Sequence, residues 1–258
     1  MINKNPIGLF DSGIGGTSIW RAIHELMPNE NTIYLADSKN APYGQKTKEE
    51  IIALCEKNTE LLLEMNCKII VVACNTATTN AINELRAKYN VPFIGIEPAI
   101  KPAANNSKTQ TIGILATKGT LNSALFSDVV NSYTNTKIIE QIGYGLVELI
   151  EDGEIDSPKM NHLLEEYLQP MVNANIDYLV LGCSHYPYLI PQIKKLIPAS
   201  IQIIDSGEAV ARQTKIVLQE KAGFNSDTNS KQLFLTNGNP IVLDAVLGGE
   251  YSVNKIDF

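Results

Sequence analysis

The sequence of 258 residues lacks long apolar runs and has few arginines, histidines and cysteines. No apolar stretch approaches the roughly 20 residues that a membrane-spanning helix needs. The arginines are Arg21, Arg86 and Arg212, and the net charge is −7. Binding to a nucleic-acid backbone depends on Lys and Arg contacts to phosphate, so we do not expect such a partner. The chain starts without the pattern of a signal peptide, which predicts a cytoplasmic protein with no membrane attachment.

The cysteines are Cys55, Cys67, Cys74 and Cys183, and their spacing contains no CxxC pair. Thiols stay reduced in the cytosol, so we expect no disulfide and no structural zinc site. No pair of histidines at positions i and i+4 marks a catalytic metal site either. We therefore expect no metal.

Short apolar runs rich in β-branched residues alternate with segments of helical periodicity, which predicts an α/β fold with parallel sheets. The predicted strands are 7–10, 32–35, 69–73, 93–96, 111–116, 137–141, 178–181, 201–204 and 232–235. The predicted helices are 17–26, 47–65, 76–88, 122–133, 158–173 and 207–221. Two architectures fit: a closed eight-stranded barrel, or two open sheets facing each other across a cleft.

An internal similarity favours two open sheets. Residues 69–76 (IIVVACNT) and residues 178–185 (YLVLGCSH) each predict a buried strand, then a cysteine and polar groups, then a helix. Cys74 follows Asp11 by 63 positions, and Cys183 follows Thr117 by 66. The two halves therefore place similar groups at similar positions.

The segment 98–108 has the composition of a crossing between domains. We expect two pseudo-symmetric open parallel-sheet domains with the active site in the cleft between them. The first would comprise residues 1–97 plus 208–258, and the second residues 98–207.

Cys74 and Cys183 each lie between a predicted strand and a helix, at the sheet edge where open α/β folds bind ligands. A helix N-terminus lowers the pKa of a thiol from about 8.5, so we expect a thiolate to be accessible near neutral pH. Simple burial is the alternative explanation for either cysteine alone, but the matched positions favour chemistry. Cys55 and Cys67 fit core positions.

Asp11 ends the first strand, within residues 8–16 (GLFDSGIGG), and His185 lies two residues after Cys183. This glycine-rich run has neither the Rossmann spacing nor a Walker lysine, so it does not predict a nucleotide site. Two thiols flanked by an acid and a histidine form a pair of acid–base groups. Such a pair can remove a proton from one face of a carbon and return one on the other face.

Motifs along nearly the whole chain resemble those of the glutamate racemases, in the cofactor-independent aspartate/glutamate racemase superfamily. They are residues 8–16 (GLFDSGIGG), 41–44 (APYG), 73–77 (ACNTA), 95–99 (GIEPA), 115–120 (LATKGT), 181–187 (LGCSHYP) and 205–207 (DSG). The resemblance implies two α/β domains with pseudo-twofold symmetry, glutamate as the substrate, no cofactor and a supply of D-glutamate for peptidoglycan. It is also compatible with a homodimer.

The resemblance further implies roles for particular residues. Cys74 and Cys183 would transfer the proton, with Asp11 and His185 assisting. The implied substrate-binding residues are Asp11, Ser12, Tyr43, Gly44, Asn75, Thr76, Ser184 and His185, with Thr117 and Thr120 as weaker candidates.

Two positions depart from the family pattern. Ser184 stands where Thr is usual and keeps the hydroxyl, so substrate binding should survive. Residues 142–147 (IGYGLV) stand where many members have Cys-Pro. Glu148 and Glu151 follow that loop, and the sequence assigns them no role.

Two other functions remain open at this point. One is an aspartate or broad-specificity amino-acid racemase of the same superfamily, since one methylene in a pocket is worth only about 1–3 kcal/mol. The other is a non-catalytic two-lobed protein that binds a small molecule. A binding protein, however, has no need for two thiols facing one ligand.

Overall fold

The computed structural model describes residues 2–227 and 229–258. The strands are β1 (Ile7–Asp11), β2 (Thr32–Ala36), β3 (Ile69–Val72), β4 (Phe93–Gly95), β5 (Thr111–Ala116), β6 (Lys137–Ile142), β7 (Tyr178–Gly182), β8 (Gln202–Ile204), β9 (Gln232–Thr236) and β10 (Val253–Lys255). The α-helices are α1 (Thr17–Leu26), α2 (Lys48–Glu64), α3 (Asn75–Lys88), α4 (Ile100–Asn106), α5 (Lys118–Leu121), α6 (Ala124–Asn131), α7 (Leu146–Glu151), α8 (Pro158–Asn173), α9 (Ile190–Leu196), α10 (Gly207–Val217) and α11 (Pro240–Leu247). Single 3-10 turns cover Ser38–Asn40, Tyr43–Gln45 and Tyr186–Leu189, and a π-helical turn, Leu218–Ala222, follows α10.

The described strands form two open parallel sheets, which confirms the predicted α/β architecture. The larger sheet has the strand order β10-β9-β2-β1-β3-β4, and the smaller has the order β6-β5-β7-β8. The order β2-β1-β3-β4 therefore repeats as β6-β5-β7-β8. This repeat makes Cys74, after β3, and Cys183, after β7, topological equivalents.

The central strands are buried on both faces, as continuous apolar runs predict for parallel sheets covered by helices. One apolar cluster continues from the larger sheet into the smaller one, and it includes Ile14, Trp20, Leu146, Ile150 and Leu181. The two sheets therefore share a core at their junction.

Local sequence signals explain most helix boundaries. Thr47 starts α2 with a capping box: its hydroxyl accepts the Glu50 N–H, and the Glu50 carboxylate accepts the Thr47 N–H. The helix predicted over 122–133 is present as α6, which is two residues shorter at each end, and Ser123 caps its start by accepting the Phe126 N–H at 3.2 Å. The predicted crossing at 98–108 contains the short helix α4.

The chain passes from the larger sheet to the smaller one between β4 and β5, and it returns between β8 and α10. The division into residues 1–97 plus 208–258 and residues 98–207 remains a prediction. In the described parts of the chain, no helix combines the length and apolarity that a membrane crossing requires.

Candidate active site

The carboxyl ends of the two sheets meet at a cluster of polar residues and thiols. Asp11 ends β1 and Cys74 follows β3, while Cys183 follows β7 of the other sheet. Ser184 joins the two edges because its hydroxyl donates to Asp11 Oδ1 at 3.1 Å. Asp11, Cys74 and Cys183 are all buried. The structure thus brings both thiols to the same cleft.

Cys74 lies at the N-terminus of α3. Its Sγ accepts the Ala77 N–H at 3.5 Å and is 3.6 Å from Ser12 Oγ. Burial raises the pKa of the Cys74 thiol well above its ordinary value, and the charge of Asp11 raises it further. The Ala77 N–H and the Ser12 hydroxyl lower the pKa, but by less. The expectation of an accessible thiolate is therefore wrong for Cys74, because burial outweighs the helix N-terminus.

Asp11 lies beside Cys74 and is held by the glycine-rich turn after β1. Its Oδ2 accepts the N–H groups of Gly13 and Gly16 at 3.2 and 2.9 Å. Burial raises the pKa of the Asp11 carboxyl, while the charge of His185 and the Gly16 N–H offset part of that rise. Asp11 is thus a carboxyl group that can hold a proton closer to neutral pH than an exposed aspartate does.

His185 lies beside the second thiol, with Nδ1 3.8 Å from Cys183 Sγ and 3.4 Å from Ser184 Oγ. Its other ring nitrogen, Nε2, is 2.6 Å from Glu151 Oε1. Burial lowers the pKa of His185, but the interactions with Cys183, Glu151 and Asp11 raise it more, to well above the ordinary value. These interactions therefore favour the protonated ring next to the Cys183 sulfur.

Glu151 is a member of this site that sequence reasoning missed. Its Oε1 also accepts the Ile14 N–H at 2.7 Å, and its Oε2 accepts the Ser38 hydroxyl at 2.7 Å. Burial raises the pKa of Glu151, but the hydrogen bonds from His185, Ile14 and Ser38 and the histidine charge lower it below the ordinary value. Glu151 is thus an ionised carboxylate that orients His185. The charge of Glu151 and its place at the end of an apolar segment carried no signal of this contact in the sequence.

The substrate-binding residues predicted after β3 are also in the cleft. Asn75 is buried, and neither its Oδ1 nor its Nδ2 has a hydrogen-bond partner among the residues that the structure describes. The Thr76 hydroxyl is 2.7 Å from that of Thr117, which comes from the other sheet, and 3.4 Å from that of Thr120. Buried amides rarely stay unpaired, so the free amide of Asn75 marks a place for a polar ligand.

Tyr43 and Gly44 occupy the wall of the cleft in different ways. The Tyr43 hydroxyl donates to Asp37 at 2.5 Å, so it is turned towards Asp37. Gly44 packs on Thr117: a Cβ added at Gly44 would lie 2.9 Å from Thr117 Cβ. The absence of a side chain at Gly44 lets the two halves approach each other closely.

A small cavity opens beside this wall. It is lined by Pro42, Gly44, Gln45, Thr117, Lys118, Ile142, Gly143, Tyr144, Gly145, Val147 and Glu148. Gln45 Nε2 donates to Glu148 Oε1 at 2.6 Å across it. The divergent loop 142–147 therefore forms the side of the cavity opposite the Pro42–Gln45 segment, and Glu148 lies at its rim.

The cluster contains two thiols that can act as acid–base groups, and the side chains next to each thiol differ. One thiol has a carboxyl group and a serine next to it, and the other has an imidazolium held by a carboxylate. In the described ranges 2–227 and 229–258, no three His, Cys, Asp or Glu side chains are grouped to hold a metal ion. This arrangement can remove a proton from one side of a bound molecule and deliver one from the other side.

The family model for Asp/Glu/hydantoin racemases matches residues 7–214. The chain is 44% identical to the glutamate racemase of Ralstonia pickettii over 243 residues, which cover 94% of this chain and 86% of that protein. The chain belongs to the Asp/Glu/hydantoin racemase family.

Solved structures agree with this assignment. Escherichia coli glutamate racemase in complex with L-glutamate and the activator UDP-MurNAc-Ala superposes with a TM-score of 0.88, at 29% identity and 98% coverage of both chains. Francisella tularensis glutamate racemase in complex with D-glutamate gives a TM-score of 0.85, at 26% identity and 98% coverage of both chains.

Proposed function

We propose that this chain interconverts L- and D-glutamate, with Cys74 and Cys183 as the two proton carriers. The observation that carries the proposal is the pair of buried thiols at equivalent strand ends, which converge on one cleft. Full-length similarity to glutamate racemases supports the same activity.

In the direction from L- to D-glutamate, Cys183 acts as the base. His185 Nδ1 is 3.8 Å from the Cys183 sulfur, where it can donate a hydrogen bond to a thiolate. The Cys183 thiolate removes the α-proton, and the Cys74 thiol gives its proton to the opposite face of the same carbon. Cys183 ends as a thiol and Cys74 as a thiolate, and the reverse reaction exchanges the two states.

The two sides of the cleft support this exchange differently. The Ala77 N–H donates to Cys74 Sγ, and the Ser12 hydroxyl, 3.6 Å from that sulfur, can turn to donate to it when Cys74 is a thiolate. Asp11 can supply or accept a proton beside it, since burial brings its pKa upward. On the other side, Glu151 keeps His185 protonated and oriented.

Recognition of glutamate depends on uncharged groups. The motifs around the cleft contain no Arg, and their one Lys is Lys118. The groups that can hold the carboxylate and ammonium groups of glutamate are the Asn75 amide, the hydroxyls of Thr76 and Thr117 and the N-terminus of α3.

The decisive experiment measures racemisation by the purified protein in the presence of EDTA and without added cofactor. We expect L- and D-glutamate to interconvert at comparable kcat/KM values in the two directions and aspartate to react much more slowly. Activity that disappears on dialysis and returns with pyridoxal phosphate or a metal would overturn the cofactor-independent mechanism. Faster turnover of aspartate would assign the chain to the alternative substrate.

Separate cysteine variants test the two-base mechanism. Cys74→Ser and Cys183→Ser should each stop racemisation, because a serine hydroxyl is far less acidic than a thiol. A glutamate analogue with a leaving group on the β-carbon needs only one deprotonation. Cys74→Ser should therefore still eliminate from the L-analogue and Cys183→Ser from the D-analogue.

Cys67→Ser is the matched control, since Cys67 is buried just before β3, at the end of the sheet opposite the cleft. It should racemise normally, even if it is less stable. Loss of both eliminations in both folded site variants would refute the model, and normal racemisation by either one would reduce that cysteine to a packing residue.

We also propose the cellular context that the family implies. The chain would act in the cytoplasm and supply D-glutamate for peptidoglycan, so its loss should make growth depend on added D-glutamate. Growth without that supplement and without a second source of D-glutamate would refute this role. The homodimer remains a prediction, to be checked by sedimentation equilibrium against the monomer mass of 28.3 kDa.

A further inference from the structure

A second buried carboxylate, Asp37, lies next to the candidate active site and takes no part in the mechanism above. Asp37 follows β2, and its N–H donates to the Asp11 carbonyl at 3.0 Å. It is therefore at the same sheet edge as the reacting groups. Its residue exposure is 1%, so solvent does not satisfy its carboxylate.

Three neutral donors surround the Asp37 carboxylate. Oδ1 accepts the side-chain amides of Asn40 at 2.7 Å and Asn237 at 2.5 Å. Oδ2 accepts the Tyr43 hydroxyl at 2.5 Å. Within the described residues, Asp37 forms no salt bridge. Its hydrogen bonds thus connect β9, through Asn237, to the wall of the cleft.

The Tyr43 side chain is held firmly at this place. It is 1% exposed, and its hydroxyl also accepts the Asn58 amide at 3.1 Å while it donates to Asp37. With the hydroxyl engaged there, Tyr43 turns its polar group away from the cleft, and Pro42, Gly44 and Gln45 line the cavity beside it. On its other side, Gly44 packs against Thr117, so the segment has little freedom to shift.

We propose that Asp37 is a positioning residue for substrate binding. It fixes the Tyr43 hydroxyl and thereby holds the backbone of Tyr43 and Gly44 where glutamate contacts it. This inference rests on the proposed glutamate racemase activity. It assigns Asp37 a part in glutamate affinity and none in proton transfer.

The donors around position 37 require a side chain that accepts hydrogen bonds on both of its terminal atoms. In Asp37→Asn, the new amide must turn one N–H towards either the Tyr43 hydroxyl or the amides of Asn40 and Asn237. All of these are donors, so one orientation loses the tyrosine and the other loses the asparagines. Losing a hydrogen bond to a charged group changes binding by about tenfold where the bond holds the binding surface.

The test compares KM and kcat for both glutamate enantiomers in Asp37→Asn, Tyr43→Phe and the double variant. We expect each single variant to raise KM about tenfold with kcat within twofold, because the interaction serves ground state and transition state equally. The KM of the double variant should not exceed that of the weaker-binding single variant, since Asp37 acts through Tyr43. Calorimetric titration with D-glutamate should show the same loss of affinity.

Glu30→Gln is the matched control, because Glu30 is a buried carboxylate just before the other end of β2. It accepts the Lys68 ammonium at 2.7 Å and the Asn225 N–H at 2.7 Å, on the side of the sheet away from the cleft. Glu30→Gln should lower the Tm at least as much as Asp37→Asn while KM stays within twofold.

Each outcome decides the proposal. An unchanged KM in Asp37→Asn or in Tyr43→Phe would overturn it, and so would a fall in kcat with KM unchanged. Fully additive effects in the double variant would show that Asp37 does not act through Tyr43. If Asp37→Asn does not fold, the KM of Tyr43→Phe tests the proposal alone: a raised KM supports it and an unchanged KM overturns it. If the wild-type protein does not racemise glutamate, the proposed function itself is refuted. If the wild type racemises glutamate and the variants keep its KM, only the role of Asp37 is refuted.

Discussion

Glu151 illustrates how one side chain can serve both halves of a cleft. It orients His185 within the smaller-sheet half, and it accepts hydrogen bonds from Ile14 and Ser38 of the larger-sheet half. Its carboxylate is 12% exposed, so its charge acts on His185 with little screening by water. The orientation of His185 and a contact between the two halves are therefore coupled through a single residue.

Replacing Glu151 by Gln should change the pH dependence of the reaction. Burial lowers the pKa of His185 and Glu151 counteracts it, so removing the carboxylate charge must lower that pKa. The imidazolium is then lost at a lower pH. We expect the alkaline limb of kcat/KM for L-glutamate to move to lower pH.

Asp152→Asn is the control for this shift, since Asp152 is exposed at the end of the same helix. It should leave the profile in place. An unmoved alkaline limb in Glu151→Gln would mean that the carboxylate does not set the charge of His185.

Two short elements, a six-residue helix and a glycine-rich turn, place Glu151 in the site. Helix α7 has six residues and starts after Gly145, whose φ of 78° is in the left-handed region. The helix then points its last residue, Glu151, at the turn after β1. A Cβ added at Gly13 of that turn would be 1.9 Å from Glu151 Oε1, so only glycine allows this contact.

Gly13→Ala should therefore displace Glu151 and lower kcat by more than tenfold, as misplaced catalytic groups commonly do. A suitable comparison is Gly153→Ala, because Gly153 has a φ of 76° but an added Cβ there would have no atom of the described residues within 4 Å. That variant should lose about 1 kcal/mol of stability through backbone strain and keep its kcat. Normal turnover by Gly13→Ala would show that the close contact is dispensable.

At the scale of the whole molecule, the two sheets are joined through the site as well as through apolar packing. Ser184 bonds to Asp11, Thr76 to Thr117, and Ser18 Oγ donates to the Ser184 carbonyl at 2.9 Å. A ligand bound in the cleft touches groups from both halves. Binding should thus stabilise the protein as one unit.

We expect D-glutamate to raise the Tm of the wild type measurably at saturation. At 100 times Kd, a ligand that binds only the folded state adds about 2.7 kcal/mol to the free energy of unfolding. Asn75→Ala should lose most of this rise, because the Asn75 amide has no partner within residues 2–227 and 229–258 and is left for the ligand. The same variant should lose little stability without ligand. A Tm that glutamate does not move in the wild type would contradict substrate binding at this cleft.

Local patterns in the sequence determined the strand–helix alternation and the place of the reacting groups along the chain. Periodicity identifies strands buried on both faces, and parallel strands bring their carboxyl ends to one edge. Asp11, Cys74 and Cys183 follow such strands, so their common edge could be predicted. The repeat of strand, cysteine and polar group also favoured two open sheets over a barrel.

The tertiary structure alone decided which distant groups meet and how strongly burial acts on them. Glu151 is 137 positions from its Ile14 partner, and no local pattern encodes a contact at that separation. The pKa of Cys74 rises because the folded chain removes water from the thiol, which outweighs the helix N-terminus that the sequence could reveal. The Asp37 carboxylate likewise accepts the side-chain amide of Asn237, which lies 200 positions later. Local preferences act over a few residues, whereas desolvation and charge pairing depend on neighbours that only folding supplies.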